Sequence, residues 1–137
     1  MSSCGIDVSV RIAESSCTPY SPTNELKVTY QEGPYGSIIQ NLVTKTGSFS
    51  YGDVVDFTMP NACVSDSGVV SVFNDVSNGF AVDLVTVTTA NDEFVFDAAT
   101  YSTYALDMHL KNDACWYFDK DSMQTRYNTP LELVVTD

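Results

Sequence analysis

The sequence predicts an all-β domain, an antiparallel two-sheet β-sandwich. Three observations predict it. Apolar residues recur with period two in short runs; clusters of Gly, Pro, Asn, Asp and Ser separate those runs; and 137 residues have room for one core. Successive side chains point to opposite faces of a strand, so each run carries one apolar stripe that needs a facing layer. Short strands at this spacing make a sandwich or a barrel, and the stripes here suit two facing sheets.

The first run sets Ile6, Val8, Val10 and Ile12 against Asp7, Ser9 and Arg11, the pattern of a half-buried strand. Residues 15–24, with two prolines, form a turn cluster before Leu26, Val28 and Tyr30 repeat the alternation. Turn residues 32–36 lead to a strand around Leu42 and then to residues 49–57, Phe-Ser-Tyr-Gly-Asp-Val-Val-Asp-Phe. Residues 61–68 turn the chain into 69–73, with Val70 and Val72 on one face; residues 74–79 turn it into 81–87, where Val82 and Leu84 are grouped with Val85 and Val87. A tight turn at Ala90, Asn91 and Asp92 precedes Phe94 and Phe96, and Leu131, Leu133 and Val135 form a last strand. Residues 98–111 mix Ala98, Ala99, Ala105 and Leu106 with Thr100, Tyr101, Thr103 and Tyr104, which prefer a pleated surface, so this stretch is read as irregular or as one extra strand. No repeat, low-complexity tract or linker divides the chain, and a single domain over residues 1–137 is expected.

Charge narrows the partners. Six basic against eighteen acidic side chains give a net charge of −12, which repels nucleic-acid phosphates and bare anionic membranes. No apolar run approaches the roughly 18 to 20 residues that a transmembrane helix needs, and no transmembrane segment is expected. The opening Met-Ser-Ser-Cys lacks the basic and apolar regions of a signal peptide and reads as a mature secreted chain with an added Met, its leader absent. Cys4, Cys17, Cys63 and Cys115 form no Cys-x-x-Cys pair, and His109, the sole histidine, cannot complete a zinc site with them at usual spacing. Disulfides in an oxidising, secreted or extracellular setting are expected, the alternative being four reduced thiols of a cytosolic protein. From the sequence alone all three pairings stay open.

Catalytic chemistry finds no foothold. Asp53 and Asp56 lie three apart around a strand and face opposite sides, so they are no acid and base pair, and Asp56 is expected to bond backbone groups at a strand end. His109 has no Ser or Cys in a nucleophile elbow to serve, and no Gly-x-Ser-x-Gly or phosphate-binding loop occurs. Asp119, Lys120 and Asp121 start like an EF-hand loop but lack its Gly and closing Glu. The chain is not expected to be an enzyme. Tyr20 and Tyr35, each beside a proline or glycine, suit amphipathic tips that enter a membrane interface or a protein contact, or else pack their own turns. The Trp116-Tyr117-Phe118 cluster is read as core or as cover for a sheet edge.

One resemblance runs through the middle of the chain. Leu42, then Phe49, Tyr51 and Gly52, then Asp56 with Phe57; next Gly68, Val69, Val70 and Val72; then, after the loop 74–79, Phe80, Val82, Val85 and Val87 ahead of the Ala90-Asn91-Asp92 turn with Phe94 and Phe96: in this order the residues resemble the PLAT domain, a β-sandwich found beside lipoxygenase and pancreatic lipase catalytic parts, in polycystins, in bacterial α-toxin and as stand-alone plant stress proteins. About two-thirds of the chain can be laid on that pattern. Where calcium-binding members of the family carry carboxylates before the Phe-x-x-Gly motif, Gly47 and Ser48 stand here; Phe80 replaces the central Trp, and residues 97–114 exceed the usual closing hairpin.

The resemblance implies a non-enzymatic binding module that touches a lipid surface or a protein partner through its loops. With this charge the lipid would be zwitterionic or neutral, unless divalent cations bridge, or the partner would be basic. The alternative is a disulfide-stapled extracellular structural or adhesive protein, or a toxin-like effector, with no lipid role. No cofactor is required by this reading, but a weak calcium site is implied at Asn24, Glu25, Asp75 and Asn78; the plainer account of those residues is that they make turns. The family sandwich also brings the start of the first strand to the turn after the Asp56 strand, which implies Cys4 with Cys63 and leaves Cys17 for Cys115.

Overall fold

The period-two runs become strands, and their described apolar residues, Leu84 excepted, are buried as the spacing requires. The computed structural model describes residues 4–13, 24–33, 38–64, 66–73, 80–98, 100, 116–118 and 131–136. Among them are β1 (Ile6–Ile12), β2 (Glu25–Glu32), β3 (Ile38–Thr46), β4 (Val54–Met59), β5 (Ser67–Phe73), β6 (Phe80–Thr88), β7 (Glu93–Asp97), β8 (Trp116–Phe118) and β9 (Leu131–Thr136), with no helix among the described residues. One sheet has the order β4-β1-β6-β7, with the short β8 also on β6; the other has the order β3-β2-β5-β9. Every pairing is antiparallel. The two sheets pack face to face as an antiparallel β-sandwich.

The stripes meet in one core. Ile6, Val8, Val10 and Ile12 of β1, Val55, Phe57 and Met59 of β4, and Val85 and Val87 of β6 are buried in the same cluster as Leu26, Val28 and Tyr30 of β2, Val70 and Val72 of β5, and Leu133 and Val135 of β9. Trp116 joins them, fully buried and paired with Val82. Truncating one of the large members, Phe57 or Trp116, to Ala removes packing worth about 3–5 kcal/mol.

Two bulges correct the plain alternation. Arg11 pairs with Leu84 and Ile12 with Val82, so Asp83 is an extra residue on β6. The apolar face therefore passes from Val82 to Val85, and Leu84, grouped with the inward residues by the sequence pattern, turns to the opposite face and is half-buried. The buried Asp83 carboxylate accepts a hydrogen bond from Arg11 Nε at 2.6 Å, and its carbonyl accepts one from the Ala98 amide. On β3 the extra residue is Gln40, between the pairs Tyr30 with Asn41 and Gln31 with Ile39. Asp56 departs from expectation too: it sits within β4 and its Oδ1 accepts from Ser9 Oγ of the neighbouring strand at 2.6 Å, a cross-strand side-chain bond in place of backbone capping.

Strand directions sort the links. β1 ends, β2 starts, β3 ends, β4 starts, β5 ends and β6 starts at one end of the sandwich, so residues 13–24, 47–53 and 74–79 are all rooted there. At the opposite end Cys4 and Cys63 form a disulfide, and the Gly5 amide donates to the Ala62 carbonyl beside it. Cys17 and Cys115 lie outside the described residues, as do His109, Asp119, Lys120 and Asp121.

Along one side of the sandwich, β3 and β4 approach from different sheets. Lys45 pairs with the inward-facing Leu26, and its ammonium lies 5.9 Å from the centre of the Phe57 ring. An inward charge of this kind covers apolar surface with its stem and discourages a further strand from joining β3.

Candidate functional site

Among the described residues, the link-bearing end offers one complete link, residues 47–53 between β3 and β4. Its tip is a β-turn over Ser50, Tyr51, Gly52 and Asp53, closed by the Asp53 amide donating to the Ser50 carbonyl at 3.1 Å. Gly52 has φ of 82°, the left-handed value that the third residue of a type II turn needs and that glycine adopts without a Cβ clash. Asp53 closes the turn a second time, its Oδ2 accepting from the Ser50 amide at 2.7 Å. Two bonds to the end of β1 hold the turn in place, Gly52 amide to Ile12 carbonyl and Ile12 amide to Asp53 carbonyl.

This geometry puts Tyr51 at a corner, where it is 43% exposed, and Val54 just beyond is 57% exposed. Sequence reasoning used Tyr51 only as part of a family pattern and missed it as a presented aromatic. The signal was there in Ser-Tyr-Gly-Asp, four residues of turn chemistry between two strands.

Asn24 adjoins the same link. Its carbonyl accepts from the Gly47 amide at 3.1 Å, so Gly47 and Ser48 lie beside the first expected calcium ligand and supply no carboxylate. Glu25 is half-buried, 4.0 Å from Lys27 Nζ, which also donates to Thr44 Oγ1 at 3.1 Å. Asp75 and Asn78 lie outside the described residues; they follow Phe73, which pairs with Lys27, so their link departs from the end that holds Asn24 and Glu25. Among the described residues, no three His, Cys, Asp or Glu side chains are grouped to hold a metal ion.

The two tyrosines named as tips also lie outside the described residues. Tyr20 falls between Ala13 and Asn24, on a link rooted at this end; Tyr35 falls between Gly33 and Ile38, on a link rooted at the opposite one. They do not share a set of links.

Electrostatically, the outward face of the first sheet is acidic. Asp7, Asp56 and Glu93 are exposed on it, and the one basic residue of β1, β4, β6 and β7, Arg11, is bonded to Asp83. Tyr30, inside the core, has its phenol pushed above its ordinary range by burial and then by the charge of Glu32. No protein-family model, curated protein or solved structure matches the chain.

Proposed function

We propose that the chain is a non-enzymatic binding module of PLAT type, secreted or lumenal, whose link-bearing end contacts a lipid surface; a protein partner is the other occupant that end could take. One observation carries this reading: Tyr51 is presented at the corner of a turn closed by two hydrogen bonds and tied to β1 by two more, with exposed Val54 three residues on. An aromatic with an apolar body and a polar tip suits the headgroup boundary of a bilayer, and a rigid turn presents it with little loss of entropy. The net charge of −12 favours a zwitterionic or neutral lipid over an anionic one. The Cys4 to Cys63 disulfide supports an oxidising compartment. The alternative, a structural or adhesive extracellular protein or toxin-like effector, shares the scaffold and needs no exposed tip.

Flotation with phosphatidylcholine vesicles, with and without calcium, tests the proposal. Wild-type protein is expected to float and the Tyr51→Ala variant to float markedly less, with the two unfolding at the same denaturant concentration. No flotation under any of these conditions removes the lipid role and leaves the structural alternative.

A further inference from the structure

The sandwich protects its sheet edges unequally. β3 carries a bulge and the inward Lys45, and β4 runs beside it. β7 has only five residues and an acidic residue at each end. In contrast, β9 pairs with β5 over six consecutive residues without a register shift, contains no Pro, Gly or Lys, and has no strand on its second edge among the described residues. Val134, on its outward face opposite Val69, is 48% exposed. A regular edge of this kind, with Val134, Val135 and Thr136 β-branched and Glu132 as its one charge, is a template for another strand.

From this edge we infer that β9 is a strand-addition site for an extended basic segment of another protein. An antiparallel newcomer would face Glu132, Val134 and Thr136 on the outward side, and these call for a basic, a β-branched and a small polar residue respectively. Backbone hydrogen bonds supply affinity in this mode, and the cross-strand side chains supply choice. Charge selects the occupant. A second copy could pair β9 with β9 about Val134, setting Glu132 opposite Thr136, but it would bring together two chains of net charge −12, whereas a basic segment is attracted by the same field. The site is separate from the link-bearing end and does not depend on the lipid reading.

The probe is a capped peptide, Lys-Thr-Val-Val-Val-Lys-Lys, with a counterpart carrying Glu at every Lys. Binding is followed by amide chemical shifts of the full chain and by fluorescence anisotropy. The basic peptide is expected to bind with shifts centred on β9 and β5, to weaken as salt rises, and to lose at least tenfold in affinity with Glu132→Lys or Val134→Lys; the acidic counterpart is expected not to bind. Both variants change exposed side chains, and an unchanged unfolding midpoint verifies their folding. Shifts centred elsewhere, or equal binding of both peptides, overturn the inference. So does sedimentation showing a dimer that rising salt strengthens and Val134→Lys dissolves, because the occupant is then a second copy, and so does a monomer that binds neither peptide.

Discussion

Gly68 lies directly beneath the phenol ring of Tyr30. The two sit on neighbouring strands one diagonal step apart, since Tyr30 pairs with Val70 and Glu32 with Gly68, and a Cβ added at Gly68 would fall inside the Tyr30 ring. The ring is fully buried, so it has nowhere to retreat. Gly68→Ala is therefore expected to cost about 1–3 kcal/mol through overpacking. Pairing it with Tyr30→Leu should recover part of that loss relative to the sum of the two single changes, as denaturant unfolding of all four proteins will show. Additive losses would mean that the contact is not what excludes Ala.

Tyr30 also makes stability fall at alkaline pH. Its hydroxyl is buried with no hydrogen-bond partner among the described residues, and burial followed by Glu32 raises its pKa above the ordinary value of 10.0. The folded chain thus keeps a proton that the unfolded chain gives up. The contribution is fully present below pH 10.0 and is lost as pH rises through the higher folded value. Tyr30→Phe is expected to be neutral or stabilising by up to about 1 kcal/mol at pH 7, because it removes an unsatisfied hydroxyl, and to show a shallower alkaline loss than the wild type. Parallel curves for the two proteins would contradict this.

The disulfide between Cys4 and Cys63 closes a span of 59 residues and fastens the start of β1 to the link after β4. In the chain-entropy account a cross-link of that span contributes on the order of 4 kcal/mol. A Cys4→Ser/Cys63→Ser double variant is expected to lose about that much in urea unfolding, while the Gly5 to Ala62 bond and the β1 to β4 ladder keep the native far-UV spectrum.

Arg11 is the partner that lets Asp83 stay buried in the bulge. The Arg11 side chain is 38% exposed and that of Asp83 only 12%, so removing the guanidinium leaves a poorly hydrated carboxylate. Arg11→Ala is expected to cost about 1–3 kcal/mol. Arg11→Lys is expected to cost less, since it keeps the charge and loses the planar fork. A double-mutant cycle with Asp83→Ala measures the coupling, and a cycle that closes to zero would assign the bulge to backbone packing alone.

Calcium, if it binds at the end holding Asn24 and Glu25, is expected to bind at about 10⁻⁴ to 10⁻³ M, in the range of extracellular modules. Gly47 beside Asn24 brings no carboxylate, and the Asn24 carbonyl already accepts the Gly47 amide. Calorimetry detecting micromolar affinity would overturn this expectation.

Much of the molecule is legible in its sequence. The fold class and the inward residues of β1, β2 and β5, with Leu133 and Val135 of β9, follow from period two, because a one-residue slip would turn every apolar side chain to water. The cluster at Trp116 reads as core or as cover for a sheet edge, and Trp116 is core. What periodicity could not convey was decided by contacts between distant residues. The extra residue at Asp83 exists because β6 must satisfy β1 on one edge while placing a carboxylate beside Arg11, and nothing local to residues 82–85 marks that need. Gly68 looks like a turn residue in the sequence, yet it lies in β5 and its missing side chain is space for a ring on another strand. Tyr51 looks like one more aromatic in a strand-rich stretch, and only the turn tied to the end of β1 presents it at a corner. Alternation is a property of the chain and its solvent, so the sequence by itself determined the faces; bulges, close approaches and presented tips depend on which strand lies alongside, and only the tertiary structure decided them.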